Sequence, residues 1–87
     1  GSVNPELCIK PIKTEFKLGE SVDLDICALN YGPNVLPDDI KIKLAGIDMG
    51  DVSGNTVTFT KTGTTSIAIS SDLLGAYYVT PDIKVTY

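Results

Sequence analysis

Gly50–Ser70, GDVSGNTVTFTKTGTTSIAIS, decides the fold class of this chain. Val57 and Phe59 alternate with Thr56, Thr58 and Thr60, and Ile67 and Ile69 alternate with Ser66, Ala68 and Ser70. Successive side chains of an extended strand point to opposite faces, so each run has one apolar face and one small polar face. Lys61-Thr62-Gly63 separates the runs and reads as a turn, as does the Gly-containing segment before Thr56. The stretch predicts a β-hairpin between residues 56–60 and 66–70 in a small all-β domain. It carries no catalytic machinery.

The same alternation extends upstream. Ser21 to Leu29 is the cleanest strand, with Val22, Leu24, Ile26 and Ala28 on one face and Asp23, Asp25 and Cys27 on the other. Before it, Glu6 to Ile12 is extended, with Leu7 and Ile9 opposed to Cys8 and Lys10. Pro11 lacks a ladder donor, so this is an edge strand that breaks there and resumes at Thr14 to Leu18 around Phe16. Asn30-Tyr31-Gly32-Pro33-Asn34 is a loop. Ile40 to Leu44 is a strand with Lys41 and Lys43 outward, whereas Ala45 to Asn55 holds turns and at most a short strand around Ile47. Downstream, Ser71 to Gly75 is a loop. Ala76 to Val79 and Ile83 to Tyr87 are strands interrupted at Pro81-Asp82. This gives about seven strands at the spacing of an antiparallel sandwich. The inward set is Ile9, Phe16, Val22, Leu24, Ile26, Ile40, Ile42, Leu44, Val57, Phe59, Ile67, Ile69, Ile83 and Val85.

Length and composition set the limits. The 87 residues make one domain over 3–87, and Gly1-Ser2 reads as a cloning scar. A chain this short buries only about 60–65% of the surface it exposes when unfolded, which leaves a thin core. Apolar residues are 43% of the chain and charged residues 21%, a globular balance. The net charge is −4, and all the basic residues are Lys. Without a basic excess or Arg forks, the composition argues against nucleic acid as a partner. No apolar run approaches the ~20 residues of a membrane span, so membrane insertion is not expected. With no His, the commonest general base and zinc ligand is missing, and no cofactor or metal is expected.

Three groups merit weighing as sites. Cys8 and Cys27 lie on the polar faces of strands expected to be antiparallel neighbours. They form either a cross-strand disulfide or two half-exposed thiols, since sequence leaves the register open. Asp38, Asp39, Asp48 and Asp51 sit near loops that could meet at one end of a sandwich and offer carboxylates to calcium. The competing reading is turn-forming, solubilising residues, and Asp48–Asn55 lacks EF-hand spacing. Tyr31, Tyr77 and Tyr78 could stack on sugar rings or anchor an interface, with Tyr31 the best exposed candidate. No carboxylate pair stands out for acid–base work, so the chain reads as non-catalytic.

Two resemblances follow from these residues. Phe16-Lys17-Leu18-Gly19-Glu20-Ser21-Val22-Asp23-Leu24, then Gly54-Asn55-Thr56-Val57-Thr58-Phe59 through Gly63 to Ile69, resemble bacterial immunoglobulin-like domains of group 2 type. Gly19-Glu20, Leu29-Asn30-Tyr31-Gly32-Pro33 and Gly75-Ala76-Tyr77 are together similar to adhesion-related Ig-like domains of bacterial and archaeal surface proteins. The first resemblance covers about half the chain and is carried by alternation plus two glycines. The segment Ile40 to Met49 and the tail after Ile69 depart from it. Both resemblances imply an Ig-like antiparallel β-sandwich of a surface, secreted or phage virion protein. Such a module acts as a spacer or in contact with a protein partner or neighbouring domains. The alternative is a carbohydrate-binding accessory module that takes a glycan on Tyr31 and Tyr77, with Asp48 and Asp51 as further binding candidates.

Overall fold

A computed structural model describes residues 4–32 and 36–87. The expected scar at Gly1-Ser2, Val3 and the centre of the loop after Tyr31 lie outside them. The described residues form eleven short strands and no helix. The first five are β1 (Glu6–Ile9), β2 (Glu15–Lys17), β3 (Ser21–Asp23), β4 (Ile26–Leu29) and β5 (Lys41–Leu44). Then follow β6 (Gly50–Ser53), β7 (Thr56–Phe59), β8 (Gly63–Thr65), β9 (Ile67–Ser71), β10 (Ala76–Val79) and β11 (Ile83–Thr86).

Hydrogen bonds gather these strands into two groups. In the first, β1 pairs with β4, and β7 lies between β3 and β6. The run from Ser21 to Leu29 changes partner halfway. Leu24 N–H donates to the Asn55 carbonyl at 2.8 Å, and the Asp25 carbonyl accepts from Lys10 N–H at 2.9 Å. Consecutive residues of a strand turn their polar groups to opposite edges, so β1 and β7 flank this run on opposite sides. In the second group, β9 lies between β10 and β5, and β11 lies between β2 and β8. Thr80 N–H donates to the Ile67 carbonyl at 2.9 Å and joins the two ladders. The stretch from Glu6 to Lys17 thus changes group at Pro11: β1 is antiparallel to β4, and β2 is parallel to β11.

The expected hairpin between residues 56–60 and 66–70 does not form. β7 pairs with β3 and β6, and β9 pairs with β5 and β10. The two strands belong to different groups, and Lys61-Thr62 carries the chain from one to the other. Alternation reports which side chains point inward, but two inward faces on opposing layers have the same pattern as two neighbours in one sheet. The real hairpin lies just upstream, where Ser53 faces Thr56 across Gly54-Asn55. Gly54 has φ +58°, the sign needed at the first central position of a type II′ turn. A second correction follows: the short strand expected around Ile47 is β6 instead, and Ile47 is 77% exposed in a bend.

Pro81-Asp82 also has a structural reason. Val79 faces Ala68 and Thr80 bonds Ile67, but Ile83 faces Thr65. Two residues therefore stand opposite Ser66, which is a β-bulge and a tolerated place for proline.

One buried cluster receives side chains from both groups: Leu7, Ile9, Leu24, Ile26, Val57 and Phe59 from the first, and Phe16, Ile67, Ile69, Ile83 and Val85 from the second. Phe16 and Phe59 meet at its centre with ring centroids 4.7 Å apart. Val22, Ile40, Ile42 and Leu44 are half-buried at its margin, a shallower placement than their alternation suggested. Met49, assigned from sequence to a turn, is buried. Thr65, Ser71 and Thr80 are buried as well. Thr65 Oγ1 donates to the Ala45 carbonyl at 2.7 Å, and Thr80 Oγ1 accepts from Ile67 N–H at 2.9 Å. Each hydroxyl therefore has the partner that burial demands.

Candidate functional site

The register places Cys8 directly opposite Cys27, with Cα atoms 4.9 Å apart, and the two are joined as a disulfide. Both are half-buried on the outward face, while their neighbours Leu7, Ile9 and Ile26 point into the core. The bond closes the loop that carries the chain through Pro11, so it pins β1 to β4 at the point where the chain changes group.

The aromatic candidates gather at one end. Asn30 adopts φ +59° at the end of β4, and its Nδ2 donates to the Asn4 carbonyl at 3.4 Å. This brings the Tyr31 turn against the start of β1. Tyr31 is half-buried there, so the exposure expected of it is not found. Tyr77 is the exposed one, at 76%. It lines an open groove of about 460 Å³ between Asn4–Leu7 and Gly75–Tyr78. Tyr78 faces the opposite way and packs against the core. A smaller cavity of about 190 Å³ continues along the same seam, between residues 9–14 and 78–83. Ile9, Ile12, Pro81 and Ile83 line it together with Lys10 and Lys13.

The acidic candidates do not assemble. Asp38 and Asp39 precede β5, and Asp48 follows it, so the strand stands between them. Asp48 has φ +57°, and its carbonyl accepts from Thr60 Oγ1 at 2.9 Å. Asp51 lies opposite Thr58 on the edge strand β6. Thr58 is also opposite Ser21, which puts Asp51 at the end of the molecule away from Leu29 and Tyr31. Among the described residues, no group of three or more His, Cys, Asp or Glu could hold a metal ion.

Asp39 has a different task, one the sequence did not signal. Its Oδ1 accepts from Ser71 Oγ at 2.6 Å and its Oδ2 from Leu73 N–H at 2.9 Å. The hydroxyl and then the backbone donors hold its carboxyl below the usual carboxylate range. This brace fixes the Asp72–Gly75 loop, which presents Leu73 to solvent. Glu20 does the same at the other end. Lys13 Nζ and Lys17 N–H donate to it at 2.8 and 2.7 Å, and its carboxyl is likewise lowered, first by the Lys13 bond. Both carboxylates act on backbone geometry.

The surface offers an aromatic wall, a shallow groove and fixed turns. No helix among the described residues is long and apolar enough to cross a membrane. No family model, curated protein or solved structure matches the chain.

Proposed function

We propose that this chain is an Ig-like β-sandwich module without catalytic function, a spacer or protein-contact unit of a larger surface, secreted or virion protein. Pairing order supports the architecture. If β3 with β4, β8 with β9 and β10 with β11 each count as one long strand, and β1 with β2 as the two halves of the first, seven strands remain. Counted this way, the order runs 1-2-5-4 in one group and 3-6-7 in the other, with the second half of strand 1 beside strand 7, an order that supports an immunoglobulin-type arrangement. β1 lies against β10 and β5 against β6, as the two edges of facing layers would.

The observation that carries the functional reading is the path of the chain. Asn4 sits beside Gly75 and Ala76, where the last long strand begins. Tyr87 sits where that strand ends, its carbonyl accepting from Lys17 Nζ at 3.0 Å. Eleven residue steps of extended chain span roughly 35 Å. Asn4 and Tyr87 therefore lie near opposite ends of the last long strand. A packed body with that path holds whatever adjoins it at a set distance. The disulfide supports an oxidising, extracytoplasmic setting.

Distance measurement between probes at Glu6 and Tyr87 tests the spacer reading. It requires one narrow distribution near the strand length. A broad or short distribution defeats it. A second reading, glycan binding, is favoured by the exposure of Tyr77 beside its groove. A glycan array decides between them: binding lost in Tyr77→Ala or Tyr31→Ala supports the carbohydrate module, and no binding supports the spacer.

A further inference from the structure

We infer that the protein stacks head to tail with further copies of itself, the basic outer face of one copy against the acidic outer face of the next. This rests on the two-layer reading above, in which each strand group turns one face to the core and one to solvent. The sequence has net charge −4, yet its cations are not spread evenly. On the group containing β5, β9 and β11, the outward positions include Lys17, Lys41, Lys43 and Lys84, all exposed, opposed by Glu15, Asp72 and Asp82, a small basic excess. On the other group the outward positions include Glu6, Asp23, Asp25 and Asp51, also exposed, opposed by Lys10. Lys10 is taken up by Asp25 at 3.3 Å, and Lys41 approaches Asp72 at 3.5 Å. Among the described residues, Lys43 and Lys84 on one side and Glu6 and Asp51 on the other have no ion-pair partner.

The two faces also differ in relief. On the basic face, cross-strand rows run Tyr77–Ser70–Lys41 and Val79–Ala68–Lys43. The small residues of β9 form a low floor between an apolar wall and a lysine wall, and the exposed Tyr77 and Val79 supply apolar area. On the acidic face the rows are Asp23–Thr56–Ser53 and Ser21–Thr58–Asp51, a hydroxyl surface with a carboxylate at either edge. Overall extents of 48 × 22 × 20 Å make each face comparable to the ~800 Å² per partner of a standard interface. The two patches are different surfaces of one molecule, so the contact is heterologous. Nothing in it closes a ring at two copies, and association continues as an open stack. Attraction between exposed charges is screened by salt, so stacking belongs to low ionic strength.

Sedimentation velocity on the whole chain tests this. At about 0.01 M salt, where the Debye length is ~30 Å, the average mass should rise with concentration beyond a dimer, and at ~1 M salt it should return to the monomer. Lys41→Glu with Lys43→Glu makes both faces acidic, and Asp23→Lys with Asp51→Lys makes both basic. Each variant alone should be monomeric, and an equimolar mixture should associate. Asp23 accepts a bond from Thr56 Oγ1, so Glu6→Lys with Asp51→Lys provides a second basic variant that keeps it. A wild type that is monomeric at every concentration in low salt overturns the inference, as does a mixture of folded variants that stays apart. Neither result touches the spacer reading, which fails instead on the Glu6–Tyr87 distance.

Discussion

Met49 and Ile47 are two residues apart and have opposite roles. Met49 is buried beneath the turn that precedes β6, and Ile47 extends into solvent. Leaving a cavity at a buried site costs transfer energy plus lost contacts, so Met49→Ala should lower unfolding free energy by ~2–5 kcal/mol. Ile47→Ala should change it by less than ~0.5 kcal/mol, and urea titrations of the two variants check the contrast. Hydropathy ranks isoleucine at least as high as methionine, so residue type alone could not tell which of the pair is buried. Asp39 gives a second test at this scale. Its folded pKa lies below its unfolded value, so its stabilisation is complete above the unfolded pKa and is lost as pH falls through the folded one. Asp39→Ala should therefore flatten the loss of stability on acidification, and it should leave less difference from the wild type at pH 2 than at pH 7. Equilibrium unfolding across that range measures it. The Ser71 and Leu73 partners lie more than thirty positions away in sequence. Only the fold could have named them.

Elements here are short, and most are parts of longer strands that change partner. Alternation in Ser21–Leu29 correctly predicted which side chains point inward. It held no sign that the first half pairs with β7 and the second with β1. The β7 and β9 runs show the same limit more sharply, since their shared pattern suggested neighbours and they are not paired. The cysteines are the strongest handle at this scale. They close a loop with a sequence separation of 19, for which loop-closure entropy gives a contribution of about 3 kcal/mol. Domains of this size have ~5–15 kcal/mol in all. Reduction, or Cys8→Ser with Cys27→Ser, should shift the denaturant midpoint strongly downward and raise the slope slightly, because the uncrosslinked unfolded chain exposes more surface. Amide exchange should accelerate first in β1, because β10 lies against it without replacing the β4 ladder.

For the whole molecule, the separation of candidate ligands gives the clearest expectation. Asp38 and Asp39 stand at one end of β5, and Asp48 and Asp51 stand beyond its other end. No clustered set of ligands joins them among the described residues. Melting temperature should thus be the same in calcium and in chelator, and a calcium-dependent rise would require ligands brought together in some other way. Several features were legible in the sequence by itself: the all-β class, nearly all of the buried cluster, most turn positions, and the facing polar sides of the two cysteine strands. These follow from residue type and the two-residue period, which are local properties. Strand partners, the crossing between groups after Phe59, the bulge opposite Ser66 and the dispersal of the aspartates were decided by tertiary structure. The reason is physical. Alternation specifies the inward direction at each residue, whereas pairing depends on backbone groups that every residue carries alike. The choice among partners is therefore made only when the strand groups close over one core.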